Sequence, residues 1–487
     1  MISTDSLRSN SINAVKWSAI QGWGGQLIGF ALFAILARLL SPTEFGLVAM
    51  AATFIAIANV LTTDGISTAV IQRETLEPGL CDTVFWCNTF VGLLIFILGL
   101  LAAPLVARFY GEPELTNILR VLCITILLRS STTVHLALLR RELNFKKLAF
   151  RNFIALCSSG IVGVSMAFLG YGVWSLVTQQ LIHSLILSLT LWRRSTWKPT
   201  FRFVPSQLRE LLIFGVKIIS ANIAMLVNKQ SDAVIVGYFL GPTTLGYYTI
   251  AYRLLEILST LISGVTSSVT LPVFSALQSD LKRLSNAFLT AVKFNTLVSY
   301  PIYIGLAVLA PMLLPTLLDS KWQSSVIIVQ ILALGGVLSS TIYFHGGLLI
   351  ALGKPNWRLA TASFSACLKI TLVLTAVHYG IVAVAMANVL TTAIVAPLSI
   401  WLVRHLLQFD WQIYLQSIFR PALNSVAMSI FVFLTMYYLS EFTTNPTNLA
   451  TSFLTGVITY CLASTIFNYR TFLDLLSILK NIMLRKS

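Results

Sequence analysis

Long apolar runs, separated by short polar or turn-rich clusters, follow one another along nearly the whole chain. Cut at those clusters, the runs fall near residues 15–37, 46–69, 83–106, 116–138, 150–169 and 172–191. A second series falls near 211–240, 245–272, 285–310, 324–351, 358–377 and 381–403, and two further runs lie near 421–440 and 449–468. A helix needs roughly 20 mostly apolar residues to cross about 30 Å of hydrocarbon, where only the helix itself can satisfy its backbone N–H and C=O groups. The pattern predicts an all-α polytopic membrane protein of about 14 transmembrane helices.

The two series repeat each other. At an offset of 200, Leu40, Pro42, Thr43 and Gly46 align with Leu240, Pro242, Thr243 and Gly246, so Leu-x-Pro-Thr-x-x-Gly is written twice. A later echo at a slightly longer offset sets Ala103-Pro104 against Ala310-Pro311, and Gly170-Tyr171-Gly172-Val173 against His378-Tyr379-Gly380-Ile381. Six spans per copy is an even number, so each copy starts and ends on the same side of the membrane. This predicts two six-helix lobes related by a pseudo-twofold along the membrane normal, plus two C-terminal helices. The expected division is 1–191 for the first lobe, 192–209 for a basic cytoplasmic linker and 210–403 for the second lobe. Residues 404–487 then carry an interfacial helix over Gln408 to Phe419, the two extra spans and a cytoplasmic tail with a second interfacial segment, Phe472 to Leu484. A duplicated helical bundle places a cavity between its lobes, the geometry of an alternating-access transporter.

Composition agrees with the bilayer: 56% of residues are hydrophobic, 10% are charged and the mean hydropathy is +0.83. The formal charge of +16 would suit nucleic acid if it sat on one face, but its distribution along the chain is a topology signal. With the N-terminus inside, the inner segments hold 23 Lys and Arg residues and the outer ones only Arg38, Arg108 and Lys321, which sets both termini in the cytoplasm. No nucleic-acid partner is expected. The six cysteines form no C-x-x-C pair, so neither a disulfide framework nor a metal site is indicated. The first apolar stretch lacks a small-residue cleavage signature and opens the repeat, so it reads as a retained helix. Outer connections are short, the longest running from about Pro311 to Gln323. A membrane polymerase or ligase needs an outer loop that holds an acceptor and its acid or base. No nucleophile, base and orienter sit together, and no Gly-rich phosphate loop occurs, so the chain reads as neither an enzyme nor a cofactor protein.

The candidate chemistry lies in ionisable residues inside the spans, which cost several kcal/mol unless they pair or face water. Lys229 with Asp232, and Arg253 with Glu256, stand three apart on one helix face each. Either they are intrahelical ion pairs, or Asp232 or Glu256 couples transport to protons or sodium. Asp64, before Gly65, reads as a helix-ending feature or a third coupling candidate. Arg120, Arg129, Lys217, Lys293 and Lys369 have no acid within one turn. Arg129 and Lys369 fall nearest the midpoints of their spans, where snorkelling to a surface is hardest, so they face water or an anion. His345, before Gly346-Gly347, reads as hydrogen-bonded packing or a proton relay.

These residues carry a resemblance. Leu36-Ala37-Arg38-Leu39-Leu40-Ser41-Pro42-Thr43-Glu44-Phe45-Gly46 and Asp64-Gly65-Ile66-Ser67-Thr68-Ala69-Val70-Ile71-Gln72-Arg73 are similar to the opening of polysaccharide-export flippases. Ala107-Arg108-Phe109-Tyr110-Gly111, Leu139 to Lys147, and Asp232 through Gly246-Tyr247-Tyr248 to Arg253 continue the match over about the first 400 residues. The chain resembles the lipopolysaccharide and exopolysaccharide branch of the multidrug, oligosaccharidyl-lipid and polysaccharide exporter superfamily, the branch that includes the colanic-acid exporter. The resemblance implies a two-lobed bundle in a bacterial inner membrane. It also implies a cargo, an undecaprenyl-pyrophosphate-linked repeat unit moved from the cytoplasmic to the periplasmic leaflet, with membrane lipid and a polysaccharide polymerase or export complex as partners. Mid-span cations with no acid within one helical turn suit such an anion. A cation-coupled multidrug antiporter shares the architecture and stands as the alternative, beside a polymerase or ligase acting on lipid-linked glycan and a scaffold that transports nothing.

Overall fold

The computed structural model describes residues 24–63, 70, 79–142, 145–195, 197–202, 204–440 and 444–467. Among them there is no strand. The helices are α1 (Gly24–Leu39), α2 (Pro42–Thr63), α3 (Leu80–Tyr110), α4 (Leu115–Ser130), α5 (Thr133–Arg141), α6 (Phe145–Phe168) and α7 (Val173–Arg194). The long helical stretch Pro205–Ala276 breaks at Gly241, whose φ of 79° and ψ of 177° are open only to glycine, giving α8 (205–240) and α9 (242–276). Then come α10 (Leu281–Leu318), α11 (Gln323–Thr341), α12 (His345–Ala351), α13 (Pro355–Ala376), α14 (Ile381–Leu407), α15 (Trp411–Leu439) and α16 (Asn445–Phe467). Every one of the expected apolar runs, as far as its residues are described, falls on one of these helices or on a broken pair. Nine of the described helical segments are long and apolar enough to cross a membrane, ten if α4 and α5, bent by 44°, make one span. The protein is an all-α polytopic membrane protein.

One expected connection is helical, and one expected interfacial helix is continuous with the span that follows it. α10 runs on through Pro311 and Pro315 to Leu318, leaving Asp319 to Trp322 as the turn. The segment expected to lie separately in the interface, Gln408 to Phe419, holds the first turns of α15, which is capped by Asp410 and passes Pro421 without a break. The segment Phe472 to Leu484 lies outside the described residues.

The chain packs as two compact units, Met1–Thr249 and Ile250–Ser487. In the first, α3 lies along α4, α4 against α2 and α7, and α6 along α7. Gly92 and Gly99 let α3 approach Ser130 and Cys123 of α4 so closely that a methyl group at either would collide with those side chains. In the second, α10 packs against α11, α15 and α16, and α14 against α11 and α13. Phe274, Phe288, Phe344, Phe409 and Tyr414 fill its largest aromatic cluster.

Prolines shape the second unit through the groups they leave unbonded. Proline has no N–H, so the carbonyl four residues earlier loses its helical donor, and in a bilayer a neighbouring helix has to supply one. Pro301 frees the carbonyl of Leu297, which accepts from the Tyr460 hydroxyl of α16 at 2.6 Å. Pro311 frees that of Ala307, which accepts from the Gln330 amide of α11 at 3.0 Å. Pro421 frees that of Ser417, which accepts from the Thr296 hydroxyl of α10 at 2.7 Å. This is why α15 continues through Pro421, and it binds the last two helices to α10.

Duplication is also written in the buried polar contacts. Asn88 of α3 donates to Thr133 Oγ1 at 3.0 Å, and Asn295 of α10 donates to the Ser340 carbonyl at 2.7 Å. The second pair is the first displaced by the 207 residues that separate Ala103-Pro104 from Ala310-Pro311. Each pair ties a long helix to the break in the next span, after Ser130 and after Thr341.

Candidate functional site

Within the first unit the two copies of Leu-x-Pro-Thr-x-x-Gly meet each other. Thr43 and Thr243 share a hydrogen bond of 2.8 Å between their hydroxyls. Gly46 faces the carbonyl of Pro242, and Gly246 faces the carbonyl of Pro42, each so closely that a Cβ would overlap the backbone. The contact is reciprocal, the mark of a twofold relation. Its two halves are built differently. Ser41 and Glu44 form a capping box, with the Glu44 carboxylate accepting from the Ser41 hydroxyl at 2.8 Å and from its backbone N–H, and Pro42 occupies the first helical turn. The second copy has Gly241 in the left-handed region in place of Ser41. Around the clasp, Tyr238 stacks on Phe109 with ring centroids 4.5 Å apart. Asp232 is buried nearby and accepts from the Tyr248 hydroxyl at 2.6 Å.

The segment after α7 is strapped onto α3. Asp82 accepts from the Thr200 N–H at 2.9 Å and its hydroxyl at 2.6 Å, and Thr83 Oγ1 accepts from the Val204 N–H at 3.0 Å. The Trp86 indole donates to the Thr200 carbonyl and its ring stacks on Phe201. Trp192 and Trp197 pack with Phe85 around the His135 ring.

The expected cations take different stations. Lys369 is the one buried Lys or Arg among the described residues, at 7% exposure, and shares the only buried face of α13 with Val373. Arg129 closes α4 at the bend into α5, Arg120 is exposed on α4, and Lys293 is half-buried on α10. Lys217 lies on α8 with its side chain outside the described ones, and Asp64 lies outside the described residues. Arg253 and Glu256 form an exposed ion pair at 3.0 Å. His345 Nδ1 lies 2.7 Å from Ser399 Oγ, with its ring against Phe288.

Two residues join this set unexpectedly. Arg151 of α6 is in electrostatic range of Arg129 and Arg140, and His183 of α7 is in range of Arg129 and Arg151. Neither stands out in the sequence: Arg151 is one of many inner-side charges, and His183 is a lone histidine in the sixth apolar run. Nothing in linear spacing places four separate helices around one point.

A family model described as polysaccharide biosynthesis protein matches residues 35–327, well over half of the chain. The chain belongs to the polysaccharide biosynthesis protein family. The succinoglycan biosynthesis transport protein of Rhizobium meliloti is 30% identical, over 67% of this chain and 66% of its own length. The teichuronic acid biosynthesis protein of Bacillus subtilis is 26% identical over 88% and 89% of the two chains. The lipopolysaccharide biosynthesis protein WzxC of Escherichia coli is 24% identical over 72% of each. Among solved structures, the lipid II flippase MurJ in an inward closed conformation shares the fold, with a TM-score of 0.78 at 18% identity over 95% of this chain and all of that one. The match to the polysaccharide biosynthesis family spans both copies of the repeated motif. The family match and the long apolar helices make this a multi-pass membrane protein of the polysaccharide biosynthesis family, and the succinoglycan relative is by name a transport protein.

Proposed function

We propose that the protein carries an undecaprenyl-pyrophosphate-linked oligosaccharide repeat unit from the cytoplasmic to the periplasmic leaflet of a bacterial inner membrane, by alternating access. Both termini are cytoplasmic in this reading, and residues 1–191 and 210–403 are the lobes that rock. The observation that carries it is the reciprocal clasp of Pro42, Thr43 and Gly46 on Pro242, Thr243 and Gly246. At its centre the contact is made of backbone carbonyls on glycines and one hydroxyl pair, with no ion pair to break. It suits an outer seal that opens once per cycle.

Arg129 and Lys369 hold the pyrophosphate in this reading, with Arg120, Lys217 and Lys293 lining its course. Asp232, Glu256 and Asp64 are the candidates for ion coupling. A cavity selecting cationic drugs would carry acids where this chain carries Arg129 and Lys369. In a strain lacking the chromosomal copy, Arg129→Gln or Lys369→Gln at wild-type membrane levels is expected to abolish glycan export. Full export by both variants would reject these two residues as the headgroup site, and dye resistance without glycan export would reject the cargo.

A further inference from the structure

The cluster around Arg151 shares Arg129 with the proposed headgroup site and lies within the first unit. Four elements converge on it: the bend after α4 brings Arg129, the last turn of α5 brings Arg140, the second turn of α6 brings Arg151 and the middle of α7 brings His183. α6 packs on α7, α5 on both, and α4 on α7. The charged side chains that act on Arg151 are Arg140 and Arg129, and those that act on His183 are Arg129 and Arg151. The Arg151 guanidinium donates to Asn152 Oδ1 at 3.2 Å, while its Nε is buried with no acceptor. Arg129 and Arg140 are exposed, and Arg151 and His183 half-buried, so the cluster has an open side.

The backbone beside it is irregular. Between α4 and α5 the helix breaks, and the freed Leu128 carbonyl accepts from the Ser131, Thr132 and, across from α7, Ser188 hydroxyls. Broken helices persist at membrane depth only where protein or a water-filled cavity surrounds them. A topology signal needs cations on the inner side. It needs no convergence of four helices and no guanidinium donor held without an acceptor.

We propose that Arg129, Arg140, Arg151 and His183 form a binding site for a phosphate ester carrying more than one negative charge. Resting on the flippase reading, its ligand is the pyrophosphate of the lipid-linked cargo, entering through the open side from the inner leaflet. Repulsion among the three arginines turns to attraction when the anion sits between them, guanidinium forks match phosphate oxygens with paired hydrogen bonds, and His183 adds a ring N–H donor. A phospholipid headgroup offers the same chemistry with a single charge, so the two sources separate by charge.

The test uses the purified full-length chain in lipid nanodiscs, with farnesyl pyrophosphate as probe and farnesol and phosphatidylglycerol as comparators. Wild type is expected to bind farnesyl pyrophosphate in preference to both. Arg151→Gln should weaken that binding by about tenfold or more, the scale of one charged hydrogen bond lost. Arg151→Lys, keeping the charge without the fork, should fall between. Unchanged affinity in a folded Arg151→Gln variant would overturn the site, and so would equal displacement by phosphatidylglycerol, which would mark an ordinary headgroup contact. Lost binding with intact glycan export would overturn the assignment of the cargo's pyrophosphate to this site and leave the flippase reading standing. Intact binding with lost export would overturn the site and leave that reading standing.

Discussion

Replacing Tyr460 by Phe removes one oxygen from the interior of the second unit and leaves the ring. Tyr460 is 8% exposed, and its ring packs in a cluster with Leu297, Leu309, Met428 and Val432, so the packing survives. The hydrogen bond to Leu297 does not, and the amide that would replace it belongs to Pro301, which has none. A buried carbonyl left without its donor costs about 1–3 kcal/mol in water-soluble proteins. Interhelical hydrogen bonds in membranes average roughly 0.6 kcal/mol with a maximum near 1.7, because the unfolded chain in lipid also finds partners. The expected loss is therefore about 1 kcal/mol, well below the ~3–5 kcal/mol for truncating a buried aromatic ring to Ala. The decisive experiment is a double-mutant cycle, read by reversible unfolding in detergent micelles. Pro301→Ala restores an N–H to the Leu297 carbonyl, so Tyr460→Phe should cost less in that background, leaving only the phenol's contacts with Ser464 and Ser425. An equal cost in both backgrounds would refute the account of how α16 is held.

Cysteines at Thr43 and Thr243, whose hydroxyls are hydrogen-bonded, should form a disulfide on mild oxidation, arrest export and release it on reduction; export that continues with the bond formed would show that the clasp need not open. Gly46→Ala places a methyl group into the Pro242 carbonyl and should lower both cross-linking yield and export at normal protein levels, with unchanged values in both rejecting the close approach. Asp82→Ala removes both contacts to Thr200, a loss of roughly 1.5–3 kcal/mol for hydrogen bonds to a charged group. Limited proteolysis should then cut faster between 195 and 204, and an unchanged rate would mean that Trp86 and Thr83 alone hold the strap.

Much of the architecture was legible in advance. Each expected apolar run, wherever its residues are described, lies on a helix, since the requirement to satisfy every backbone group in lipid leaves few other choices. Motif duplication was equally plain from Leu40 to Gly46 and Leu240 to Gly246. The runs expected to end near 310 and to begin near 421 extend past Pro311 and before Pro421, because Gln330 and Thr296, both distant in sequence, supply the donors those prolines lack. At the candidate site, Arg129 and Lys369 stood out by their mid-span positions. Arg151 and His183 did not, because nothing in their linear surroundings separates them from other inner-side charges or other lone histidines.

The amino-acid sequence alone determined that this chain lies in a membrane, how many times its apolar pattern recurs and that one half copies the other. Those properties follow from transfer energies that add residue by residue along the chain. Tertiary structure decided that the doubled motif closes on itself, that Tyr460, Gln330 and Thr296 complete proline-broken helices and that three arginines and a histidine gather beside the bend after α4. Each depends on how helices rotate about their axes and which neighbours they meet. That is a property of packed pairs, and no single stretch of sequence contains it.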